Sequence, residues 1–135
     1  MRDILNVIAG LKGLRHLTPA KKTEVFLAEC ALDLRFADEY KTYLTTYGLI
    51  SARGIEITGL VSSPRLNVVD VTKREREWNE GLPADMYVIE ETGVEGLLIL
   101  QDASGIIYAM WPGKQPKKEF DCLADYLFSL QQAED

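Results

Sequence analysis

Apolar positions fall at helical spacing near the start of the chain. Ile4, Ile8 and Leu11 share one face, with Leu5 and Val7 beside it, and Gly13 weakens the pattern toward its end. A second helix is expected from Thr18-Pro19, where a hydroxyl can cap free amides and a proline ring suits the first turn. Val25, Ala28, Glu29 and Leu32 keep the three-and-four period, and Phe26 and Cys30 widen the apolar stripe. In a third helix Tyr40, Tyr43, Leu44 and Tyr47 line one face. Asp38 and Glu39 occupy its first turn, where the helix dipole favours acid, and Gly48 can take the left-handed stop conformation.

Beyond Gly48 the period becomes two. Ile55 and Ile57 point one way and Glu56 and Thr58 the other, as in a half-buried strand. Val68, Val69 and Val71 suggest another short strand. Thr72-Lys73-Arg74-Glu75 then has the form of a capping box, which predicts a short charged helix running to Trp78 or Asn79. Three strands follow at Met86 to Glu91, Leu97 to Gln101 and Ile106 to Trp111. The turns between them hold Gly93 and Gly96, then Asp102 to Gly105. Such short connections favour an antiparallel meander, because parallel pairing needs longer crossovers. Leu97 to Leu100 is apolar throughout, as in a central strand covered on both faces. Past Pro112 and Pro116, a last helix carries Phe120, Leu123, Ala124 and Leu127 on one face.

Helices, then strands, then a closing helix predict an α+β fold: an antiparallel meander of about four strands, covered by N-terminal helices and a C-terminal helix. With 135 residues, and neither repeat nor linker-like run, the chain reads as a single domain over 1–135. Apolar residues make up 47% of it and charged residues 27%, enough of each for a self-sufficient core with a solvated surface.

The charge is unevenly placed. Residues 1–67 carry a net +2 and residues 68–135 a net −8. An acidic back half repels phosphate backbones, so direct nucleic-acid binding is not expected. It would attract a basic protein, or simply keep the fold soluble. No stretch approaches the roughly 18 apolar residues of a membrane span. The start lacks a signal peptide's apolar block, and a cytoplasmic location is expected. Cys30 and Cys122 read as buried free thiols.

Catalytic chemistry finds little support. His16 is the only histidine, placed in an apparent helix connection, and no phosphate or dinucleotide cradle and no HExxH is present. Neither a cofactor nor a metal is expected. Adjacent acids such as Glu90 and Glu91 point to opposite faces of a strand. Glu75 and Glu77 are on different sides of a helix, so both pairs read as solvated surface. Trp78, set among charges in TKREREWNEG, and Trp111, at a strand end, are either interface anchors or lids over the core.

An ordered series of short pieces resembles the SUKH superfamily, which also contains a yeast regulator of cell-wall assembly. The series runs through Ala28-Glu29 before Leu32 and Leu34, Asp38-Glu39-Tyr40 with Leu44, Tyr47-Gly48, and Ile55-Glu56-Ile57-Thr58-Gly59. It continues with Val68-Val69 leading to Thr72, Tyr87-Val88-Ile89, Asp102 to Gly105 with Ile107-Tyr108, and Phe120. One departure is Phe36-Ala37, where the family usually has Leu-Pro.

The resemblance implies a sheet wrapped by helices and no enzyme activity. It also implies an immunity protein that binds and neutralises a cognate bacterial toxin, often a nuclease. With the acidic back half, it marks Glu75, Glu77, Trp78, Glu80, Glu90, Glu91 and Trp111 as candidate partner contacts. The alternative is a non-enzymatic regulatory adaptor that binds a cellular protein or small ligand. A hydrolase built on carboxylates and a metal is the third reading.

Overall fold

The computed structural model describes residues 2–133. In chain order the elements are α1 (Ile4–Ala9), β1 (Arg15–His16), α2 (Lys22–Leu32), α3 (Asp38–Tyr47), β2 (Ile50–Ala52) and β3 (Ile55–Ile57). Then come α4 (Val68–Trp78), β4 (Tyr87–Glu91), β5 (Leu98–Gln101), β6 (Ile107–Met110), β7 (Lys117–Phe120) and α5 (Leu123–Ala133). Strands β4 to β7 form an antiparallel meander in sequence order, and β1 to β3 form a smaller antiparallel sheet. The expected α+β architecture and four-stranded meander are therefore present. β5 lies between β4 and β6 and is buried at every position, as its unbroken apolar run implied.

The two sheets are joined by hydrogen bonds just after β3. The Thr58 N–H donates to Ile89 O at 2.9 Å, and its hydroxyl donates to Val88 O at 2.7 Å. A cluster of rings fills the space above this junction: Phe36 and Tyr40 each pack within about 5 Å of Tyr87, and Tyr43 against Tyr40. Their hydroxyls are satisfied in place. Tyr40 donates to Thr58 O at 3.0 Å, and Tyr43 accepts from the Ile50 N–H at 3.0 Å. Burial raises the pKa of both phenols, so they remain neutral donors.

Two glycines permit close backbone approach. At Gly48, with φ of 71°, a Cβ would sit 2.0 Å from Thr18 O. At Gly59 a Cβ would sit 1.9 Å from Gly48 O. Here the chain crosses itself, bringing the segment before α2 and the segment after β3 against the end of α3.

Several boundaries differ from the sequence reading. α2 starts at Lys22 rather than at Thr18-Pro19, because Glu24 reaches back to accept the Lys21 N–H at 2.8 Å and sets the first turn there. Phe26 and Cys30 face solvent, leaving Val25, Ala28 and Leu32 as the buried stripe, and of the two thiols only Cys122 is buried. Val68 to Val71 is helix, not strand. Asn67 caps it by accepting the Val69 N–H at 2.9 Å, and Val68, Val71 and Thr72 recur at helical spacing on the buried face. Thr72 is therefore mid-helix and starts no capping box; its hydroxyl accepts the Val88 N–H at 3.0 Å and fastens α4 to β4. Phe120 closes β7 instead of opening α5, and β1, β2 and β7 had no clear sequence signal.

The Phe36-Ala37 departure has a structural counterpart. The Ala37 N–H donates to the Tyr87 hydroxyl at 2.9 Å, and that hydroxyl donates to Gln101 Oε1 at 2.7 Å. A proline at position 37 would have no N–H to give.

Candidate functional site

In an antiparallel meander alternate turns emerge at the same end, so the β4–β5 turn (92–97) and the β6–β7 turn (111–116) are neighbours. They touch: a Cβ on Gly96 would lie 2.7 Å from the Pro112 ring. The chain leaving α4 arrives at this end as well, since a Cβ on Gly81 would meet Met110 Cε at 3.4 Å and Lys114 O at 3.6 Å. Three segments distant in sequence thus share one rim. Between the end of α4 and the β6–β7 turn lies an open crevice of about 470 Å³, with Glu77, Trp78 and Glu80 on one side and Met110 and Lys114 on the other.

The rim gathers four of the seven residues marked in the sequence, and two more stand on the adjoining flank. Trp78 ends α4 with 79% of its surface exposed, which rules out a lid over the core. Trp111 follows β6 and is 42% exposed; its carbonyl accepts the Lys114 N–H at 3.0 Å and shapes the turn. Glu77 and Glu80 are exposed and have neither an ion-pair nor a hydrogen-bond partner among the described residues. Glu75 and Glu91 stand further up the same flank, where α4 packs on β4.

Glu90 does not belong to this set. Its side chain turns into the core, 7% exposed, and accepts a hydrogen bond from the Tyr126 hydroxyl. Burial raises its pKa, while the phenol's hydrogen bond opposes the rise. Alternation along β4 puts Glu91 outside and Glu90 inside, so Glu90 is a packing residue and is withdrawn from the candidate contacts.

Charges on the flank are organised in pairs. Arg65 grips both oxygens of Glu56 at 2.9 Å each, which holds the Glu56 pKa below its ordinary value. Arg74 pairs with Glu91 at 2.9 Å. Glu75 accepts from Asn79 Nδ2 at 3.0 Å and adjoins the Glu91 carboxylate. Burial, followed by that neighbouring carboxylate, pushes its pKa up to about 7. The rim acids Glu77, Glu80 and Glu95 have no such partner among the described residues, as is also true of Asp70, Asp85 and Glu119 elsewhere on the surface.

Sequence reasoning missed Val94 and Glu95, exposed on the β4–β5 turn, and Lys114 on the facing wall of the crevice. The Gly93 and Gly96 spacing announced the turn, but its approach to Pro112 and α4 is a property of the packed fold. His16 lies in the connection between α1 and α2, as expected, where β1 forms; it is exposed, with its ring edge-on to Tyr47 at 5.3 Å. Among the described residues no group of three or more His, Cys, Asp or Glu is placed to hold a metal ion. No helix among them is long and apolar enough to cross a membrane.

Among the described residues, five helices packed on antiparallel sheets make a mixed α+β fold. Residues 1–130 match the model of the SUKH_5 family, described as SMI1-KNR4 cell-wall, and the chain belongs to that family. Membership implies a protein-interaction role. No curated protein matched the chain.

Proposed function

We propose that this protein is a non-enzymatic immunity protein, which neutralises a bacterial toxin by covering part of it with the rim at the end of α4 and the β4–β5 and β6–β7 turns. The observation that carries the reading is the convergence of Trp78, Trp111 and unpaired Glu77 and Glu80 on one exposed end of a fold from a protein-interaction family. Exposed indoles supply large contact area at small entropic cost, and uncompensated acids attract a basic partner, as many nucleases are.

Co-expression with the toxin domain encoded beside its gene tests the reading. Growth should be restored by the wild-type chain and not by a Trp78→Ala, Glu77→Lys, Glu80→Lys variant. Equal protection by both would remove the rim from the account, and no protection by either would remove toxin neutralisation.

The cell-wall description of the matching family favours a second reading, a regulatory adaptor for a cellular protein. A gene set among housekeeping genes, with no adjacent toxin, would support that one.

A further inference from the structure

Resting on the reading of the rim as the binding surface, we infer that the crevice beside Trp78 takes an arginine side chain from the partner. Its chemistry selects a cation in three ways. Glu77 and Glu80 stand on one wall without internal partners, so neither must break an existing pair to receive a ligand. Both flank the C-terminal end of α4, an 11-residue helix whose last carbonyls carry partial negative charge toward the same place. Trp78 leaves 79% of its surface open, and an indole face is the best aromatic receiver of a cation.

Arginine fits better than lysine. A planar guanidinium can stack on the indole while its N–H fork meets a carboxylate in two places, whereas an ammonium is a strongly hydrated point charge. The crevice, at about 470 Å³, admits the side chain together with the backbone that bears it. Lys114 on the opposite wall is the one base lining it, and it sets a polarity: the guanidinium sits against α4, away from the β6–β7 turn.

The test uses the full chain and needs no knowledge of the toxin. The chain has two tryptophans, so its ¹⁵N-labelled form gives two indole N–H signals, assigned with Trp111→Phe. The probe is a Gly/Ser-spaced peptide carrying four arginines, compared with the same peptide carrying lysine or uncharged citrulline. The Trp78 signal should shift saturably with the arginine peptide, about tenfold more weakly with lysine, and not at all with citrulline. Glu77→Gln with Glu80→Gln should abolish the shift while both indole signals keep their places in the free protein. Equal titration by arginine and citrulline, an unchanged response in the double variant, or no response would overturn the proposal. Any of these, combined with loss of toxin protection on Trp78→Ala, would leave the rim as the binding surface and refute only its arginine specificity.

Discussion

Glu39 caps a helix 84 residues further along the chain: its carboxylate accepts the Leu123 N–H at 2.7 Å. The other oxygen takes the Ala124 N–H at 2.9 Å, and Gln101 Nε2 donates to the carboxylate at 3.0 Å. One side chain on α3 thereby fixes the start of α5 and the end of β5, and through Gln101 and Tyr87 it connects to Ala37. Glu39 stands in the first turn of its own helix, as expected, and serves a second helix as well.

Removing that carboxylate leaves three donors short of an acceptor. Glu39→Ala should lower stability by about 2–3 kcal/mol, and Glu39→Gln by less, because the amide retains one accepting oxygen. Urea denaturation of the three proteins checks the order. Equal stability of wild type and Glu39→Ala would contradict it.

Backbone crossing at Gly59 leaves no room for a methyl group, since a Cβ would stand 1.9 Å from Gly48 O. Gly59→Ala should destabilise on the order of 3 kcal/mol or more, whereas Gly54→Ala, with nothing within 4 Å, meets only the strain of its φ of 86°. Thermal melts compare the pair directly, and the larger loss belongs to position 59.

Glu75 gives stability a pH signature. Its folded pKa of about 7 lies above the ordinary 4.5, so the folded state holds the proton more tightly than the unfolded chain. The contribution is complete below the unfolded value and is lost as pH rises toward 7. Glu75→Gln removes this dependence, and the variant should gain melting temperature relative to wild type between about pH 5 and pH 8. A difference that stays constant over this range would show that the carboxyl titrates normally.

The architecture was legible where periodicity and punctuation agreed. Tyr40, Tyr43 and Leu44 with Gly48 announced α3, and the apolar run through Leu100 between glycine-bearing turns announced the meander. It was not legible where local preference opposed long-range packing. Val68, Val69 and Val71 favour a strand by side-chain type, yet the Asn67 cap and the seat of Thr72 on Val88 make them a helix. β1 has two residues and β7 reads KKEF, so neither carries an apolar alternation to detect. At the candidate site the tryptophans and acids were visible as residue types. That Glu90 turns inward to Tyr126, and that Val94, Glu95 and Lys114 join the rim, follows from pairings across the sheet.

Because Trp78 packs against little, binding and folding are separable there. Trp78→Ala should change stability by no more than about 0.5 kcal/mol, the usual range for an exposed site. The most direct measurement is calorimetric titration of the adjacent-gene toxin domain with wild type and with Trp78→Ala, Glu77→Lys, Glu80→Lys, each checked for an unchanged melt. The account predicts affinity at least about a hundredfold weaker for the variant, since a central aromatic anchor and two steering charges are lost together. Equal affinity of the two folded proteins would contradict it.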